Sequence, residues 1–212
     1  MPDMDSVKQS KDYYLDIPQK MAAFFLKGSG SLGWGMENRL ARIFNPTSGR
    51  TVMLAIDHGY FQGPTTGLER IDQTILPIVK YADSLMLTRG ILRSLIPSYQ
   101  NTPMVLRATG GISMMSAELS NEQLAMDIEE AIRLNASAVA IQVYIGAKYE
   151  SQTIINMTKM IDMAMRYGIP VLGVNGVSLI GHGSSSPKAL RSTGSAEGVR
   201  VLSRMSTWPK SL

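Results

Sequence analysis

Five short apolar runs alternate with amphipathic segments over residues 51–174 of this 212-residue chain, and this alternation constrains the fold more than any other feature. Each helical crossover returns the chain to the same edge of a sheet, so successive runs pair as parallel strands. The runs are apolar on both faces, which indicates that helices cover them. The predicted strands are 51–56, 84–88, 104–108, 138–144 and 170–174. The predicted helices are 36–44, 68–81, 91–95, 121–134 and 148–167.

Two α/β architectures fit this alternation, a doubly wound open sheet and a (β/α)8 barrel. Both place their functional sites at the carboxyl ends of the strands. Polar side chains lie at or just after the carboxyl ends of the predicted strands, namely Asp57, His58, Thr88, Arg89, Arg107, Gln142 and Tyr144. The sequence therefore predicts a site at this end of the sheet in either architecture.

The alternation stops near Val177. Residues 178–212 contain nine serines and no apolar run of strand length. Five basic residues and one glutamate give this segment a net charge of +4, which equals the net charge of the whole chain. The remaining residues are therefore neutral overall, and we do not expect them to form a nucleic acid surface.

Composition excludes several kinds of chemistry. The chain has no cysteine, so disulfides, thiolate metal sites and thiol nucleophiles are excluded. His58 and His182 are its two histidines, and we predict no metal site. No apolar stretch approaches the roughly 20 residues that cross a bilayer, and residues 1–30 lack the pattern of a secretory signal. We expect a soluble, cytoplasmic protein with no membrane partner.

A glycine motif offers an alternative function. Gly28, Gly30 and Gly33 have the spacing of a dinucleotide-binding loop, and Asp57 ends the next strand where a ribose-binding acid belongs. The alternative is a dinucleotide-dependent oxidoreductase, and an ordinary glycine-rich loop explains the same spacing. The oxidoreductase interpretation requires that residues 21–26 form a central parallel strand.

Four residues near strand ends are candidates for chemistry. The Asp57 carboxylate can act as a base or hold a catalytic lysine in its charged state, or simply cap a loop. The Tyr144 phenol can donate a proton to a carbonyl or hydroxyl group, or be an ordinary half-buried tyrosine. Arg89 and Arg107 can bind a phosphate, although arginines also cap sheet edges.

Three motifs resemble the DeoC/FbaB class I aldolase family, namely DHGYFQGPTTGLE at 57–69, TRGILR at 88–93 and QVYIG at 142–146. The resemblance implies a (β/α)8 TIM barrel, of which this chain carries about five β/α units after an N-terminal arm. It also implies a Schiff base on a lysine of the sixth strand and no cofactor. Asp57 matches the first-strand aspartate of that site, and Tyr144 matches the tyrosine used for proton transfer.

Within this family, the motifs are similar to those of the enzymes that degrade the quorum-sensing signal autoinducer-2. That resemblance implies transfer of an acetyl group from 3-hydroxy-5-phosphonooxypentane-2,4-dione to coenzyme A, giving glycerone phosphate and acetyl-CoA. Arg89 and Arg107 are candidate contacts for the phosphorylated substrate. Intact members are expected to form large homo-oligomers, which we do not expect of this chain.

The sequence departs from the family where the sixth strand is due. Residues 178–212 contain no Ile-Val-Lys, and Lys188 and Lys210 lie in polar contexts that do not lower the pKa of an amine. We therefore expect residues 1–177 to be a partial aldolase-type barrel and residues 178–212 to be a disordered, out-of-frame tail. Codons that are permitted for 201–212 can be read in a shifted frame as Ile-Val-Lys. We expect the chain to be a truncated, inactive product.

Overall fold

The computed structural model describes residues 31–177 except Pro64 and Ala117. Its helices are α1 Trp34–Ile43, α2 Gly59–Gln62, α3 Ile71–Thr74, α4 Arg89–Leu95, α5 Ile128–Arg133 and α6 Glu150–Met165, with a 3-10 helix at Leu76–Tyr81. Its strands are β1 Met53–Ala55, β2 Ser84–Leu87, β3 Met104–Arg107, β4 Thr109–Gly110, β5 Gln123–Leu124, β6 Ala138–Ile145 and β7 Val171–Val177. The five predicted strands are confirmed, with small differences at their ends.

The main sheet has five strands in the order β1-β2-β3-β6-β7, and every neighbouring pair is parallel. A doubly wound sheet reverses its strand order at a switch point, whereas a barrel adds its strands in chain order. The observed order follows the chain throughout, so the sheet is a partial (β/α) barrel. This resolves the choice of architecture that the alternation of strands and helices left open.

Two predicted helices differ from the structure. The predicted helix 68–81 is split into α3 and the 3-10 helix, which begins beside Pro77, a residue without a backbone donor. The predicted helix 121–134 begins only at Ile128, because the Asp127 carboxylate accepts the backbone N–H of Glu130 at 2.8 Å and caps α5 there. The residues before this cap form β5, which pairs with β4 as an antiparallel hairpin.

The two faces of the sheet are buried in different ways. One face packs against the outer helices, where Leu85, Leu106, Val139 and Met160 are fully buried. The other face packs against the end of α1, where Ile43 and Phe44 contact a cluster that contains Met86, Val105, Ala138, Ala140 and Leu172. Because side chains alternate along a strand, Arg107 and Gln142 lie on the α1 face, beyond Val105 and Ala140. None of the helices within residues 31–177 is long and apolar enough to cross a membrane.

Candidate active site

Arg107 lies at the centre of a buried polar cluster, with only 4% of its side chain exposed. Its Nη1 atom is 3.3 Å from Oδ2 of Asp57. Its Nη2 atom donates to the Gln142 side-chain oxygen at 2.8 Å and to the hydroxyl oxygen of Tyr60, and it lies 3.4 Å from Oε1 of Glu122. The guanidinium also stacks over the Tyr60 ring, 4.7 Å from its centroid. One cation thus holds two carboxylates, an amide and a phenol.

The strand ends and two short elements bring these groups together. Asp57 follows β1, Arg107 ends β3, and Gln142 lies in β6, so all three occupy the carboxyl end of the sheet. Tyr60 enters from α2, which begins directly after β1. Glu122 precedes β5, and the β4–β5 hairpin folds it back over the end of β3.

Tyr144 is fixed at the edge of this cluster by both its ring and its hydroxyl group. The hydroxyl donates to Oε1 of Glu122 at 3.3 Å, and the backbone N–H donates to the Thr153 hydroxyl at 3.1 Å. The ring lies against Gly176, its register partner in β7. A Cβ atom on Gly176 would lie 2.9 Å from Cδ1 of Tyr144, so only glycine permits this approach.

Both phenols stay protonated in this environment. Burial raises the pKa of Tyr144 well above its usual value, and the negative charge of Glu122 adds to the effect. Burial likewise raises the pKa of Tyr60; Arg107 opposes this effect and Glu122 reinforces it. For Arg107, burial acts to lower the pKa, but Tyr60, Glu122 and Asp57 outweigh it and leave the pKa raised. The cluster therefore holds a permanent cation and two phenols that can donate protons.

The structure brings together three of the four residues singled out from the sequence. Asp57 and Arg107 are paired, and Tyr144 joins them through Glu122. Arg89 begins α4 and is exposed. The side chain of His58 is 47% exposed, with Nδ1 3.8 Å from Oδ1 of Asp57.

The remaining sequence candidates lie elsewhere. Gly33 caps the start of α1. A second group falls outside the described residues, namely residues 21–26, Gly28, Gly30, His182, Lys188 and Lys210. In the part of the chain that the structure describes, no three histidine or acidic side chains converge as metal ligands.

Sequence reasoning missed Tyr60 and Glu122. Tyr60 was part of the motif at 57–69, but nothing in its local pattern indicated that it turns toward the third strand. Glu122 fell inside the predicted helix 121–134, where an acid near the first turn is ordinary. Its carboxylate reaches the site through the hairpin, which depends on pairing with residues 109–110 and is not visible in the local pattern.

A family model for the DeoC/LacD family aldolases matches residues 51–175 of this chain. The chain belongs to this family, which confirms the predicted relationship. It is 60% identical over 177 residues to the 3-hydroxy-5-phosphonooxypentane-2,4-dione thiolases of Yersinia pseudotuberculosis and Yersinia pestis. The matched residues are 84% of this chain and 60% of each relative, so the chain spans about 60% of the length of these curated relatives.

Solved structures agree on the fold. An archaeal fructose-1,6-bisphosphate aldolase matches with a TM-score of 0.56 and 23% identity, over 65% of this chain and 56% of that chain. A fructose-bisphosphate aldolase from Slackia heliotrinireducens matches with a TM-score of 0.58 and 15% identity, over 76% of this chain and 56% of that chain. These likenesses support the partial barrel. The oxidoreductase alternative finds no support in the strand order or in these relatives.

Proposed function

We propose that this chain carries the proton-transfer part of a thiolase site of the LsrF type. The substrate would be 3-hydroxy-5-phosphonooxypentane-2,4-dione, the acetyl acceptor coenzyme A, and the products acetyl-CoA and glycerone phosphate. Family membership and the 60% identity to thiolases of that name support this assignment. The observation that carries it is the buried cluster around Arg107, which gathers Asp57 and Tyr144 at the carboxyl end of the strands.

The geometry fits the separate roles that we propose for Asp57 and Tyr144. Acetyl transfer breaks a carbon–carbon bond and forms the thioester bond to coenzyme A. The thiol loses a proton, and the carbon that keeps the electron pair of the broken bond gains one. Tyr144 is placed to deliver a proton, because its phenol stays protonated and its hydroxyl group is held at the carboxyl end of the sheet by Glu122. Asp57 is placed to accept one, because its carboxylate is buried at the carboxyl end of the sheet and Arg107 fixes its position.

The two arginines have different surroundings, and we propose different contributions for them. Arg89 is exposed at the carboxyl end of β2, so its guanidinium is available to a substrate phosphate. Arg107 is buried, and both of its terminal nitrogens contact groups of the protein. We propose that Arg107 serves the substrate site by holding Asp57 and Gln142 in place.

We further propose that no lysine of this chain forms the Schiff base of the family. The family match ends at residue 175, and Lys188 and Lys210 lie beyond it in a serine-rich segment. A change of reading frame near residues 174–178 accounts for this, with residues 1–177 as the aldolase-type part and residues 178–212 out of frame. The nucleotide sequence of the locus tests the frame change directly. A downstream stretch without family-like residues in any frame would contradict it.

Reductive trapping tests whether the chain is competent for covalent chemistry. The full chain is incubated with the phosphorylated dione and borohydride, and peptides are mapped by mass spectrometry. We expect no lysine adduct on this chain, whereas the intact Yersinia pseudotuberculosis thiolase, as the control, should be labelled. An adduct on any lysine here would overturn the proposal that no lysine of this chain forms the Schiff base. We also propose that the protein is cytoplasmic. We further propose that it does not form the homo-oligomer of intact members, and light scattering of the purified chain can check its oligomeric state.

Ligand binding tests the site assignment independently of turnover. We expect the phosphorylated dione to shift the NMR signals of fluorotyrosine at positions 60 and 144. The matched control is 3,5-dihydroxypentane-2,4-dione, which lacks only the phosphate and should produce smaller shifts. An Arg89→Met variant should weaken the response to the phosphorylated compound selectively. The absence of any shift at Tyr60 and Tyr144 would remove the support for a substrate site here.

A further inference from the structure

We infer that Glu122 is a positioning residue that aims the phenol of Tyr144 and connects it to the phenol of Tyr60. The inference rests on the proposed function for the use of the Tyr144 proton, and on geometry alone for the contacts themselves. A single carboxylate oxygen, Oε1 of Glu122, accepts from both hydroxyl groups, with Tyr144 at 3.3 Å. Because the two hydroxyl groups share one acceptor, a change in the protonation of one phenol changes the hydrogen bond of the other.

The backbone fixes Glu122 independently of the groups that it serves. Its carbonyl oxygen accepts a hydrogen bond from the Asn156 side chain of α6 at 2.9 Å, and Asn156 is itself buried. The next residue, Gln123, pairs with Gly110 in the β4–β5 hairpin. Glu122 is fully buried. Its carboxylate is therefore held in the site by the hairpin and by α6, as positioning requires.

The need to neutralise the charge of Arg107 does not by itself explain why a second carboxylate, that of Glu122, is buried beside it. Arg107 already pairs with Asp57 through Nη1 at 3.3 Å and donates to Gln142 through Nη2 at 2.8 Å. The contact between Nη2 and Glu122 is longer, at 3.4 Å. Two buried carboxylates around one guanidinium are costly unless further hydrogen bonds satisfy their oxygens. The two phenols supply such bonds to Oε1 of Glu122.

The second oxygen of Glu122 adds to this argument. Within the described residues, Oε2 is buried and has no hydrogen-bond partner. Buried polar atoms in native proteins are rarely left unpaired, so an unpaired one calls for an explanation. A carboxylate with one unpaired oxygen can accept a hydrogen bond from a donor that enters the site.

Tyrosine titration in the full chain tests this role without substrate. All tyrosines are replaced by 3-fluorotyrosine, whose phenol is more acidic, and each fluorine signal is assigned by a Tyr→Phe variant. In Glu122→Gln, we expect the pKa of the residues at positions 60 and 144 to fall by about one pH unit, because a like charge and a charged acceptor are removed. Position 167 should be unaffected by this substitution.

Glu129→Gln is the matched control. The Tyr167 hydroxyl donates to Oε1 of Glu129 at 3.1 Å on the surface, and this bond raises the pKa of Tyr167. The control should therefore lower the pKa at position 167 and leave positions 60 and 144 unchanged. Titration of positions 60 and 144 that is identical in wild type and in folded Glu122→Gln would overturn the inference.

Two further variants keep the test open if Glu122→Gln folds poorly. Glu122→Asp retains the charge but withdraws it by one methylene, so a smaller fall is expected at position 144. Tyr144→Phe should change the fluorine shift at position 60, because the two hydroxyl groups share one oxygen. No change at position 60 in Tyr144→Phe would contradict the inference. A failure of dione binding would instead count against the proposed function alone, since these titrations contain no dione.

Discussion

Replacing Gly176 by alanine should displace Tyr144 from Glu122. The new Cβ atom would lie 2.9 Å from Cδ1 and 3.1 Å from Cε1 of the Tyr144 ring, and 3.4 Å from the side-chain nitrogen of Gln142. Ordinary carbon–carbon contacts begin at about 3.5 Å, so the Tyr144 ring must move away from the new Cβ atom by about 0.6 Å. The hydroxyl bond to Glu122 is already 3.3 Å long, and a movement of this size breaks it.

The cost in stability follows from two opposing effects. Overpacking costs about 1–3 kcal/mol, while replacing glycine by alanine in a strand regains about 0.5–1 kcal/mol of backbone entropy. We expect a net loss of about 1 kcal/mol in urea unfolding, together with a changed fluorine shift at position 144.

Gly173→Ala in the same strand is the control for this substitution. Its Cβ atom would meet the end of the Met157 side chain, which can move aside. This variant should leave the fluorine shift at position 144 unchanged. The reasoning fails if Gly176→Ala leaves both the shift and the unfolding free energy unchanged, or if Gly173→Ala perturbs position 144 more strongly.

Three further predictions follow from the same structure. Arg107→Met should destabilise the fold by about 3–5 kcal/mol in urea unfolding, because it leaves buried carboxylates without their cation; a loss under 1 kcal/mol would show that they are otherwise compensated. Asp127→Ala should cost about 1 kcal/mol by removing the cap of α5, whereas Asp127→Asn should cost little. The raised pKa values of Tyr60 and Tyr144 mean that above pH about 10, the ordinary pKa, the folded chain binds more protons than the unfolded chain. Their stabilising contribution should therefore be complete below that pH and be lost as the pH rises through the folded values, and Tyr60→Phe should flatten this fall; a stability independent of pH in the alkaline range would contradict it.

The sequence predicted the parts of the fold that depend on local pattern. Apolar runs such as 84–88 and 138–144 agree with the observed strands to within one residue, because burial on both faces gives a strand a continuous apolar sequence. The architecture needed strand order, which is a non-local property. The β4–β5 hairpin depends on pairing between residues 109–110 and 123–124, and two residues on each side carry too little pattern to be recognised.

The same distinction applies to the site. Asp57 and Tyr144 could be selected because they lie near the carboxyl ends of strands, and these ends converge in any parallel sheet. Arg107 was a candidate for the same reason, but its burial could not be foreseen, since its partners come from α2, β6 and the hairpin. Glu122 had no local signal at all. Tertiary contacts determine which residues support the other site residues. Supporting residues are therefore harder to identify from sequence than the residues at strand ends.

The packing of α1 has an electrostatic consequence for the opposite end of the sheet. Ile43 and Phe44 cover part of the α1 face with apolar atoms, together with Val105 and Ala140, which precede Arg107 and Gln142 on that face. Such a floor has a low dielectric constant, so it screens the ions above it poorly. Field lines from the guanidinium and the two carboxylates are directed away from this floor and toward the open rim. The packing of α1 thereby strengthens the electrostatic field that an ion meets at the carboxyl end of the sheet.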